Sequence, residues 1–146
     1  YDKATWAPIP HKFEAGTPNI AGTIGLGSAI DFIDEVGKEN MIAWESELLD
    51  YATSQLSGIE GLKLYGTSSN KASLVSFLIN GIHPFDVGQM LDARGVAVRT
   101  GHHCTEPIMT QYGIDGTIRA SFAVYNTKKE IDQLIEGLDR VLKFLK

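Results

Sequence analysis

Apolar residues recur along the chain with two different periods, and the expected element changes where the period changes. Ile24, Ile30, Ile33 and Val36 approximate a helical stripe that opens near Ile20 and ends at Gly37, in the position glycine favours after a helix. Met41, Trp44, Leu48, Ala52, Leu56 and Ile59 fall three or four apart, which predicts a second helix from about residue 39 to Leu56 with Gly58 as its stop. Beyond Gly61 the period becomes two. Leu62 and Leu64 predict a short strand, and Val75, Phe77 and Ile79 a longer one, with a turn over residues 66–71 between them. His83-Pro84-Phe85-Asp86 opens a third helix with proline in its first turn, running to Arg94 and capped by Gly95. Val96 and Val98 predict another short strand, followed by a loop. Ile118, Ala120, Phe122 and Val124 then alternate with Arg119, Ser121, Ala123 and Tyr125 in a last strand. Thr127-Lys128-Lys129-Glu130 has the form of a capping box, and Ile131, Leu134, Ile135, Leu138, Val141, Leu142 and Leu145 give the final helix one apolar face. Residues 1–19 carry Pro8, Pro10, Gly16 and Pro18 with no period and read as an irregular arm. The sum is an α+β sandwich over residues 20–146: a small mixed or antiparallel sheet with helices packed on one face.

Composition narrows the partners. A chain of 146 residues, 43% hydrophobic and 21% charged, suits one domain with a real core. Its formal net charge of −5 and the lack of a basic run argue against nucleic acid. No apolar run approaches the length of a membrane span, and Tyr1-Asp2-Lys3 does not begin a signal peptide. The single cysteine excludes an internal disulfide and suits a reducing, cytoplasmic compartment.

That cysteine lies in the stretch Arg99-Thr100-Gly101-His102-His103-Cys104, beside two of the four histidines. A structural metal usually takes four ligands, and successive histidines on an extended segment diverge, so metal binding is disfavoured here. A free cysteine is commonly a small buried hydrophobe. Gly101, Pro107 and the polar residues between them instead describe an exposed loop, where Arg99 and the histidines would favour a nucleophilic thiolate. The residues alone support nucleophile and packing equally.

RTGHHCTEPIM resembles the segment around the active-site cysteine of Suf-type cysteine desulfurases, pyridoxal-phosphate (PLP) enzymes of the class V aminotransferase family. Phe13-Glu14-Ala15-Gly16-Thr17-Pro18-Asn19 is similar to that family's FEAGTPN segment. Ile82-His83-Pro84 with Asp86-Val87-Gly88 is similar to its IHPxDVG helix start, Ile118-Arg119-Ala120-Ser121-Phe122 to its VRASF strand, and Tyr125-Asn126-Thr127 to its YNT turn. These segments stand in family order from Pro10 to the end of the chain.

The resemblance implies the small carboxy-terminal domain of the aspartate aminotransferase-like fold, type I of the PLP-dependent transferases. It implies conversion of L-cysteine to L-alanine, with the sulfur passing to Cys104 as a persulfide and on to an acceptor protein for iron–sulfur cluster assembly. Arg119 would hold the substrate carboxylate, a task suited to its planar fork of donors. Arg99, His102 and His103 would lie near the substrate, and Thr17 would reach the phosphate of PLP in the neighbouring subunit of a homodimer. The family's cofactor lysine belongs to a large amino-terminal domain that has no counterpart here. Lys12, although it follows His11, aligns with the basic residue that precedes FEAGTPN, so the chain alone is expected to lack turnover. Thr105-Glu106 departs from the Ala-Gln common in the family, and Glu106 places a negative charge near the thiol. Related readings remain: a selenocysteine lyase or other class V domain, a non-catalytic docking module, or a metal-binding domain built on Cys104 and the histidines.

Overall fold

The computed structural model describes residues 3–145; Tyr1 and Asp2, on which the absence of a signal peptide was argued, lie outside them. The chain divides into two units, Tyr1–Lys38 and Glu39–Lys146.

In the first unit the arm is irregular apart from one 3-10 turn over His11–Phe13. Helix α1 (Ile20–Val36) begins where the Asn19 side chain accepts a hydrogen bond from the Gly22 amide at 2.9 Å. It ends at Gly37, whose φ of 86° closes the helix through a 3.0 Å bond to the Ile33 carbonyl.

The second unit is built on a four-stranded sheet in which every pairing is antiparallel, in the order β1 (Leu62–Tyr65), β2 (Leu74–Ile79), β4 (Thr117–Ser121), β3 (Arg99–Gly101). One sheet face carries Val75, Phe77, Ile79, Ile118 and Ala120, all buried. Against it pack Leu56 of α2 (Lys38–Ser57), Val87 and Leu91 of α3 (Pro84–Asp92), and Leu134, Leu138 and Val141 of α5 (Lys128–Leu145). Phe77, Leu91 and Leu138 are completely buried, each contributing about 1.5–3 kcal/mol of apolar burial. Polar ties fix α2 against the turn before α5 and against α5 itself: the Trp44 indole donates to the Asn126 carbonyl at 3.1 Å, and Tyr51 donates to Asp132 at 2.6 Å. The expected capping box is present, the Glu130 carboxylate accepting from the Thr127 amide at 2.7 Å.

The structure departs from the sequence expectation at Val96–Val98 and after Cys104. Val96 and Val98 are not a strand; they pack against the core, and the paired strand β3 begins at Arg99. The segment after Cys104 is not simply a loop. It forms α4 (Glu106–Tyr112), with Pro107 in its first turn and Gly113 at φ 66° closing it. Tyr112 of α4 meets Tyr65 of β1 edge to face at 5.6 Å. Tyr65 points away from the helical core, so α4 flanks the opposite side of the sheet, and helices are not confined to one face.

Candidate active site

Strand alternation places the polar residues of β4 together. With Ile118 and Ala120 in the core, Thr117 and Arg119 turn to the other face. Register extends this into a row across all four strands, Tyr65, Ser76, Arg119 and Arg99 each standing opposite the next. Arg99 and Arg119 are thus direct cross-strand neighbours. Like charges so placed repel, and among the described residues neither is paired with a carboxylate. The Arg119 Nε is buried and without a hydrogen-bond partner among the described residues. The unpartnered Arg119 Nε leaves a donor to spend, and arginines paired across two strands are chemically suited to an anion that accepts paired hydrogen bonds.

Cys104 leaves the end of β3 in a tight turn. His103 and Cys104 both have left-handed φ, 56° and 62°, a conformation uncommon for residues with a side chain. The turn is closed by Thr105, whose amide and hydroxyl donate to the His102 carbonyl at 2.9 and 2.7 Å. Held this way, the Cys104 thiol is exposed. Arg99 Nη2 stands 3.7 Å from its sulfur, so sulfur and both guanidiniums share one side of the sheet. Glu106 occupies the first turn of α4, where the helix N-terminus favours a carboxylate.

The two histidines separate in role. His102 contributes its carbonyl to the turn and exposes its ring. His103 turns its ring inward, with Nε2 at 2.9 Å from the Thr117 hydroxyl and 3.1 Å from the Thr117 carbonyl. Burial holds its imidazole below the ordinary histidine range, and the charges of Arg119 and Arg99 push the same way, against the bond to the Thr117 carbonyl. His103, Thr117, Arg119, Ser76, Tyr65 and Met109 line a cavity of about 410 Å³. Lys71 also lines it and donates to the Gly66 carbonyl at 3.3 Å. Thr117 and α4 carried no sequence signal as site elements, although Thr117 stands in phase with Arg119 along β4.

Thr17 and Lys12 belong to the first unit. Thr17 is exposed. Lys12 lies 5.7 Å from the centre of the Phe13 ring, and His11 is paired with Glu14 at 3.2 Å. No group of three histidine, cysteine or acidic residues suited to a metal ion occurs among the described residues. Nor is any described helix long and apolar enough to cross a membrane.

A sheet with helices on its apolar face and a cysteine turn beside paired arginines on its polar face matches a known family. The aminotransferase class-V profile matches residues 1–134, and the chain belongs to that family. It is 47% identical over 143 residues to a probable cysteine desulfurase of Streptomyces coelicolor, covering 97% of this chain and 34% of the relative. Among solved structures it resembles the apo cysteine desulfurase of Thermococcus onnurineus, with TM-score 0.86, 40% identity, and coverage of 92% of this chain and 34% of that one. It also resembles the cysteine desulfurase CsdA of Escherichia coli in an S-sulfonic acid form, with TM-score 0.85, 36% identity, and coverage of 92% and 33%. The chain therefore spans about a third of the length of the relatives it matches.

Proposed function

We propose that the chain is the carboxy-terminal small domain of a PLP-dependent cysteine desulfurase of the Suf type, with Cys104 receiving the sulfur of L-cysteine. The observation that carries this reading is the exposed Cys104 sulfur beside Arg99, on the sheet side that also presents Arg119. The identity to proteins named cysteine desulfurase supports it.

The donor set fits the group it would meet. Arg119, with its buried Nε unpartnered, and Arg99 beside it suit the carboxylate of an amino-acid substrate. Thr17, exposed and with no hydrogen bond from its hydroxyl among the described residues, suits a phosphate oxygen of PLP in a neighbouring subunit. When bound, PLP supplies the electron sink for chemistry at the substrate Cα. In the transfer, the Cys104 thiolate bonds to the substrate sulfur and the substrate C–S bond breaks. The electron pair of that bond stays with Cβ, which takes a proton to complete L-alanine. The electrons lost in making the S–S bond are those gained by carbon, so no outside oxidant enters.

The cofactor lysine lies in the part of the protein beyond this chain, and the chain alone does not turn over. A cytoplasmic homodimer that passes the persulfide to an acceptor protein for iron–sulfur cluster assembly completes the proposal. The test uses the full-length enzyme and L-cysteine. C104A is expected to stop persulfide formation, whereas unchanged production of alanine and sulfide would favour a lyase of the selenocysteine lyase kind.

A further inference from the structure

Thr117 is a polar residue only 1% exposed, and the Arg119 carboxylate receptor does not use it. Its hydroxyl and carbonyl both meet the same atom, His103 Nε2, at 2.9 and 3.1 Å. A carbonyl only accepts, so Nε2 carries the proton and donates to it. The other ring nitrogen, Nδ1, is buried and without a hydrogen-bond partner among the described residues. The contact depends on a close approach of the strands. Thr117 pairs in register with Gly101, and a Cβ on Gly116 would come within 2.8 Å of the Gly101 backbone.

We propose that Thr117 is a positioning residue for Cys104: by anchoring the His103 ring it holds the left-handed turn that carries the thiol beside Arg99. Two successive residues with side chains occupy left-handed φ there, and such a turn persists only where its surroundings determine it. The Thr105 bonds to the His102 carbonyl close the turn from outside. The bond from His103 to Thr117 ties it to β4 of the sheet. Without that tie the turn relaxes and the sulfur leaves its 3.7 Å contact with Arg99. The inference rests on the desulfurase reading.

The test is steady-state alanine formation from L-cysteine by the full-length enzyme. T117V keeps the shape and removes the hydroxyl; kcat is expected to fall about tenfold or more, as misplacement of a reacting group demands, with KM for cysteine little changed. T117S restores the hydroxyl and is expected to recover most of kcat. H103A and the double variant H103A/T117V are expected to be equally slow, because both break one tie. A T117V enzyme with wild-type kcat, a T117S enzyme as slow as T117V, or losses that multiply in the double variant would overturn the positioning role. Should T117V fail to fold, alkylation of Cys104 by iodoacetamide in T117S and H103A decides: T117S is expected to react at the wild-type rate and H103A more slowly, and equal rates in all three overturn it. C104A distinguishes the two levels. If it abolishes sulfur transfer while T117V is unimpaired, only the positioning role falls; if it retains full transfer, the desulfurase reading falls with it.

Discussion

Arg119 and Arg99 stand opposite each other on β4 and β3 with no carboxylate between them among the described residues. That arrangement is costly unless an anion occupies it. Lysine carries the charge but not the fork, so R119K in the full-length enzyme is expected to raise KM for cysteine about ten- to hundredfold. The estimate is the loss of one charge-assisted hydrogen bond of about 1.5–3 kcal/mol, and steady-state kinetics checks it. His103 gives a pH signature. Its folded-state pKa is depressed by burial, so the unfolded chain takes up a proton near the ordinary histidine value while the folded chain resists it. The stability this contributes is complete above about pH 6.5 and lost as pH falls through the folded-state value. The melting temperature is therefore expected to drop between about pH 7.5 and about pH 5.5, and H103N to show a smaller drop. Glu130, whose pKa is lowered by its bonds to Thr127, acts below its ordinary 4.5 and does not enter that window. At this scale one short segment and one strand of the sequence single out Cys104, Arg99, Arg119 and His103 as candidates, and the structure places them around one end of β3 and β4. The sequence could not locate Thr117, because a lone threonine has no spacing signal and its role depends on a ring reaching it from the turn after β3.

Among the elements, legibility followed length. The long helices α2 and α5 and the strand β2 stood out because a sustained apolar period reports a buried face. Helix α4 has seven residues, too few for a period, and its signals were local: Thr105 before it, Pro107 in its first turn and Gly113 after it. Val96 and Val98 looked like a strand for the complementary reason. Hydrophobicity reports burial, and both are packed on the core, but the residues that pair are the polar Arg99–Gly101. Likewise the alternation through Phe122 and Val124 outlasts the strand, which ends at Ser121. The junction of β3 and β4 also makes a stability prediction. Gly116 has φ 126°, and an added Cβ would lie 2.8–2.9 Å from backbone atoms of Gly101 that cannot move aside. G116A is expected to destabilise the fold by at least about 2 kcal/mol, measured by urea unfolding.

For the whole molecule, the family resemblance supplied what periodicity could not. Periodicity gives a sheet and helices; it does not say that Arg119 and Cys104 share a side of the sheet, which follows from strand register and the turn after β3. The chain spans about a third of its relatives, and the proposed cofactor lysine lies in the remainder. PLP added to this chain alone is expected to give no absorbance band of protein-bound cofactor; a band lost in K12A would place the lysine in the arm instead. The most direct measurement is the intact mass of the full-length enzyme after brief exposure to L-cysteine, with the modified peptide mapped. The account predicts a gain of one sulfur atom on the peptide containing Cys104, absent from C104A. A sulfur adduct that persists in C104A, or alanine formed with no adduct at that position, would contradict it.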